Sequence, residues 1–127
     1  MLLGTGTGGF GAKTDFATGN GPTSVAIGDL NGDGTPDLAT ANVFADSVSV
    51  LLGNGTGGFG AKTDFATATG PSSVAIGDLN ADGDPDLATA NDNVDSVSVL
   101  LGNGTGGFGA KTDFATGDGP SRSQSAI

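Results

Sequence analysis

Cysteine, histidine, glutamate, tryptophan and tyrosine are all missing from this 127-residue chain. The first two absences exclude disulfides, a thiol nucleophile, a zinc site of Cys and His, and an imidazole acid or base. Basic residues are scarce, four Lys and Arg against 14 acidic residues, for a net charge of −10. That balance excludes a basic groove for nucleic acid and argues against attraction to anionic lipid. No apolar run approaches the roughly 18 residues a spanning helix needs, so no membrane insertion is expected. Met1-Leu2-Leu3 is too short for a signal peptide and has no basic segment before it. What is abundant is glycine, at 25 residues, and aspartate, which supplies every carboxylate side chain. Seven phenylalanines are the only large aromatics, so the core must come from Val, Ile, Leu and Ala on closely approaching sheets. Acidic chains of this kind bind cations or are neutralised by them on folding.

Internal similarity dominates the chain. Val48 to Thr67 recurs unchanged as Val97 to Thr116, and Phe10, Phe59 and Phe108 are each 49 residues apart. A fixed period of this size points to propellers, solenoids or arrays. One period reads as four short strands, at Ser24 to Leu30, Asp37 to Ala41, Ser47 to Leu52 and Ala61 to Ala66. Gly, Asn, Asp and Pro punctuate each gap, and no segment carries apolar residues at helical spacing. The expected fold is therefore all-β, built of tandem four-stranded antiparallel blades of β-propeller type, about two and a half repeats of 49 residues. The divisions expected are a partial blade over residues 1–20, blades over 21–69 and 70–118, and a divergent tail over 119–127. The partial blade holds a third-strand remnant at Leu2-Leu3 and a fourth strand at Ala12 to Ala17. A closed propeller takes at least about four blades, so the sheets are expected to be completed by oligomerisation or strand exchange, as a ring or a filament, or by further repeats of a longer array.

The motif that carries chemistry is Asp29-Leu30-Asn31-Gly32-Asp33-Gly34-Thr35-Pro36-Asp37, repeated as Asp78-Leu79-Asn80-Ala81-Asp82-Gly83-Asp84-Pro85-Asp86. Its pattern is D-x-N-x-D-G-x-x-D. Side-chain oxygens at the first, third, fifth and ninth places can converge on one hard cation, and the glycine at the sixth permits the sharp bend. The backbone carbonyl of the seventh residue, Thr35 or Asp84, adds another oxygen, and water completes the shell of Ca²⁺. The two loops hold seven of the 14 aspartates. This is not an EF-hand, because Thr40 and Thr89 stand where that motif places a bidentate glutamate, and a strand pattern follows in place of a helix. An Asn-Gly or Asp-Gly turn alone would favour some of these residues, but not four spaced ligands twice in one register.

Together with Phe59-Gly60 and the strand Val48 to Leu52, the loop resembles the FG-GAP (VCBS-type) repeat, found in the propellers of integrin alpha subunits and in many secreted bacterial proteins. The likeness runs from Leu2 to about Pro120. It implies calcium between the first two strands of each blade. The implied ligands are Asp29, Asn31, Asp33, Thr35 through its carbonyl and Asp37, then Asp78, Asn80, Asp82, Asp84 through its carbonyl and Asp86.

Other features carry less. The Thr7-Gly8-Gly9-Phe10-Gly11 segment and its copies lack the Lys-Ser/Thr and the helix of a phosphate loop, and read as strand-connecting turns. Lys13, Lys62 and Lys111 are expected to be solvated or to pair with Asp15, Asp64 and Asp113. Asn54-Gly55-Thr56 and Asn103-Gly104-Thr105 match the glycosylation sequon. Paired aspartates do not read as glycosidase carboxylates, since a cation would hold both ionised. The function expected is a calcium-binding structural or adhesive repeat protein, not an enzyme, that self-assembles at the cell surface or outside the cell. An extracellular protein or glycan is a second class of partner. A lectin-like propeller is the alternative, against which stands the lack of Trp and Tyr for stacking on sugars. Near-identical copies also arise by design or reconstruction as readily as by recent duplication.

Overall fold

Alternation of Val with Ser and of Ala with Leu or Thr gives each short segment two distinct faces, the pattern of a pleated strand. In the computed structural model, which describes residues 1–117, these segments form two four-stranded antiparallel meanders. Blade 1 comprises β1 (Pro22–Gly28), β2 (Asp37–Asn42), β3 (Ser47–Leu51) and β4 (Thr63–Ala66). Blade 2 comprises β5 (Pro71–Gly77), β6 (Asp86–Asn91), β7 (Ser96–Leu100) and β8 (Thr112–Ala115). No helix occurs among the described residues, and the all-β blade architecture is as the sequence leads one to expect. The tail at 119–127 lies outside the described residues.

Register decides which face of blade 1 meets blade 2. Ala39 pairs with Val50, Ala41 with Val48 and Val48 with Phe65, so these side chains share one face. That face packs against Val74, Ile76, Leu87 and Leu100 of blade 2 in a single core cluster. The opposite face of blade 1 is partly polar. There Asn42 accepts a hydrogen bond from the Thr40 hydroxyl and donates to Ser47 and Ser49 at 3.2 and 2.9 Å. Ser49 in turn donates to Asp64 at 2.6 Å. The same network recurs through Thr89, Asn91, Ser96, Ser98 and Asp113, where it faces blade 1.

Five strand ends of blade 1 differ from the sequence expectation: β2 runs on to Asn42, one residue past Ala41, β3 stops at Leu51, one short of Leu52, and the other three are in β1 and β4. The first strand stops at Gly28, not Leu30, because the Leu30 amide leaves the ladder to donate to Asp37. It starts at Pro22, with a register shift before Ser24. The fourth begins at Thr63, opposite Val50, since β3 leaves the sheet after Leu51. The expected strands at Leu2-Leu3 and Ala12 to Ala17 are not formed. Residues 1–17 hold an isolated Gly4–Phe10 bridge, reciprocal Met1–Thr14 bonds and the Thr5–Gly9 and Gly11–Leu3 turn bonds, which tie the segment to itself without a sheet ladder.

Candidate metal centre

Each aspartate loop joins two antiparallel strands, β1 to β2 and β5 to β6, so strand pairing holds its two ends together. The bend falls at the sixth residue, where Gly34 and Gly83 have φ of +84° and +87°. A side chain at that φ would be strained, which is why glycine recurs there. The fourth residue also has positive φ: Gly32 at 75° in the first loop, but Ala81 at 62° in the second.

This path folds the carboxylates inward. Asp29, Asp33 and Asp37 each offer an oxygen within 4.8 Å of the others, as do Asp78, Asp82 and Asp86. Asp29 accepts from the amides of Gly32 at 2.8 Å and Gly34 at 2.9 Å, and Asp78 accepts from Gly83 at 2.9 Å. The Thr35 backbone amide, and then its hydroxyl, donate to Asp33 and hold its carboxyl below the usual carboxylate range. Asp37 is fully buried, and its two oxygens accept from Leu30 at 2.7 Å and Gly53 at 2.8 Å. Asp86 does the same for Leu79 and Gly102.

The remaining expected ligands are placed less closely. Asn31 accepts a long bond from the Asp33 amide at 3.4 Å, and Asn80 is exposed in its loop. The side chains at the seventh place are engaged elsewhere or with a neighbouring ligand: the Thr35 hydroxyl donates to Asp33 at 2.8 Å. The same hydroxyl reaches the Gly53 carbonyl, and the Asp84 carboxylate lies against Gly104, which leaves the carbonyls of these two residues as their candidate donors.

The donor set suits a hard divalent cation: oxygen only, largely anionic, and without a positive partner among the described residues. Lys13, Lys62 and Lys111 are each engaged with Asp15, Asp64 and Asp113, so none of them serves the loops. Like charges about 4 Å apart repel by about 1 kcal/mol per pair even at the dielectric of water. A bound dication reverses that sign.

A family model described as FG-GAP-like repeat matches the chain three times, over residues 1–40, 41–89 and 78–126. The chain belongs to the FG-GAP-like repeat family. The first two FG-GAP matches end just past an aspartate loop, at residues 40 and 89, so one repeat unit takes the outer strands of one blade and the inner strands of the next. No curated protein and no solved structure is a significant match.

Two roles escaped the sequence. The ninth aspartate braces two backbone segments, and Asn42 and Asn91 organise a buried polar network. The signal was present, because an asparagine closing the segment Asp-Leu-Ala-Thr-Ala-Asn recurs at the 49-residue period with serines to match. The sequon asparagines have a local task as well: Asn54 accepts from the Thr56 amide, the Thr56 hydroxyl and the Gly58 amide, closing the glycine-rich turn.

Proposed function

We propose that this FG-GAP-like chain is a calcium-stabilised structural and adhesive module that acts outside the cell and associates with its own kind. The observation that carries it is the pair of three-carboxylate clusters without a cationic neighbour among the described residues. Asp29, Asn31, Asp33, the Thr35 carbonyl and Asp37 would hold one ion. Asp78, Asn80, Asp82, the Asp84 carbonyl and Asp86 would hold the other. Bound calcium supplies charge cancellation, and the chain supplies the rest. Gly34 and Gly83 set the bend, Thr35 aims the Asp33 carboxylate, and Asp37 ties the loop to the turn at Gly53.

An extracellular setting supplies the calcium that such a module would need. Extracellular calcium modules bind in the range of about 10⁻⁴–10⁻³ M, the level available there. No helix among the described residues is long and apolar enough to cross a membrane. A non-catalytic role is supported by the side-chain inventory, which offers no His, Cys, Glu or Tyr.

Calcium titration by calorimetry tests the ligand assignment. Two ions per chain are expected. Asp33→Ala and Asp82→Ala should each remove one of them while leaving the far-ultraviolet spectrum unchanged. Unaltered stoichiometry in both variants would refute the assignment.

A further inference from the structure

Residues one period apart have the same chemistry, so a difference in their burial reports a missing neighbour. Val74 is 7% exposed in blade 2, where it packs on blade 1, whereas its counterpart Val25 is 59% exposed. Ile76 is packed into the same core, yet Ile27 is 70% exposed. At the other end the asymmetry inverts. Leu30 is 1% exposed in blade 1 and Leu79 54% exposed in blade 2. Phe65 stacks edge-on against Phe108 at 5.3 Å, while its counterpart Phe114 is 56% exposed. The leading face of blade 1 and the trailing face of blade 2 are thus the two halves of the interface already formed once inside the chain.

One segment stands in the way. Residues 1–17, with the Thr18-Gly19 pair that follows them, occupy the place that outer strands of a preceding blade would take, and three contacts support this. Phe16 stacks edge-on against Phe59 at 5.3 Å, as Phe65 does on Phe108. The Gly19 amide donates to Ser49 at 2.9 Å, as the Ala68 amide donates to Ser98 at 3.1 Å. Leu3 lies against Gly57 as Leu52 lies against Gly106. The sequence of this segment, Leu2 to Gly19, differs from Leu100 to Gly117 only at Thr5, which aligns with Asn103. The segment covers the polar network of blade 1 but leaves Val25 and Ile27 open. It forms no strand, so it is held by a few side-chain and turn contacts and not by a sheet ladder.

We propose that the occupant of these faces is a second copy of this chain: blade 2 of one copy seats on blade 1 of the next through Val25 and Ile27, and its β7–β8 pair displaces residues 1–17, which act as a removable cap. The proposal rests on the self-association stated above and specifies its surface. Phe16 and Phe114 are then competitors for one position, the ring face of Phe59. Residues of the same type at equivalent repeat positions therefore have opposite effects on assembly.

Sedimentation velocity of the full chain in millimolar-range calcium tests this, with wild type, Phe16→Ala, Phe114→Ala and Ile27→Asp compared over a concentration series. Phe16→Ala loosens the cap and should strengthen association by about tenfold or more. Phe114→Ala and Ile27→Asp should weaken it by at least about as much. Circular dichroism of each variant reports whether the blades remain folded, and a double variant, Phe16→Ala with Ile27→Asp, should be monomeric. Association that is unchanged in Ile27→Asp, or weakened equally by both phenylalanine substitutions, overturns the interface and leaves self-association standing. A chain that stays monomeric in wild type and in Phe16→Ala overturns both.

Discussion

Ala81 adopts φ of 62°, where its counterpart in the first loop is Gly32. An alanine in this region crowds its Cβ against the following carbonyl, at a cost of about 1–2 kcal/mol, partly offset by the greater unfolded-state freedom of glycine. Ala81→Gly is therefore expected to raise stability by about 0.5–1 kcal/mol, read as a higher urea midpoint at unchanged slope. Asp37 poses a sharper question, because it serves two purposes. Its oxygens satisfy the amides of Leu30 and Gly53 with or without a metal. Asp37→Ala leaves both donors unpaired and should cost about 2–4 kcal/mol even in chelator. A loss confined to calcium-containing buffer would show that the brace is secondary. At this scale the sequence was informative about oxygen chemistry and silent about the brace. Spacing reveals which carboxylates can converge, whereas the partner Gly53 lies 16 residues on and is brought near only by the β2–β3 pairing.

Element by element, the four-strand period was legible because turn residues punctuate short alternating segments. Strand ends were not, because they depend on side-chain bonds to the backbone, as where Asp37 draws Leu30 out of β1. The segment at Ala12 to Ala17 shows the limit of local pattern. It repeats the residues of β4 and β8, but strand formation requires a partner of matching length. Asp64 in β4 and Asp113 in β8 pair with the preceding Lys62 and Lys111, as Asp15 does with Lys13, and the pH dependence of the first two can be checked. Lys111 and then Ser98 hold Asp113 below the usual carboxylate range. At Asp64 burial pushes upward, but the bonds from Lys62 and Ser49 outweigh it. A carboxyl lowered in the folded state adds stability above its unfolded value, ordinarily 3.8, and loses it as pH falls through the folded one. These two groups should leave the urea midpoint in chelator flat between about pH 7 and 5, then lower it below about pH 4. A midpoint that rises on acidification below that point would contradict the assignment.

For the molecule as a whole, the described residues of this acidic, aromatic-poor chain hold one core cluster, and that cluster lies between the two blades. The interface was not legible from one period alone. It emerges from comparing equivalent residues in unequal surroundings, such as Leu30 with Leu79. Bound calcium would act at the same scale, because each ion would fix a hairpin that presents its blade to the neighbour. A ligand that binds only the folded state adds RT ln(1 + [L]/Kd), about 1.4 kcal/mol per site at ten times its dissociation constant. The most direct measurement is thermal unfolding of the wild-type chain across a calcium series, against chelator and against equal ionic strength of magnesium. The midpoint is expected to climb by several degrees with calcium concentration and to respond far less to magnesium, which tolerates such a flexible oxygen loop poorly. Melting curves that superimpose in calcium and in chelator would contradict a structural metal in these loops.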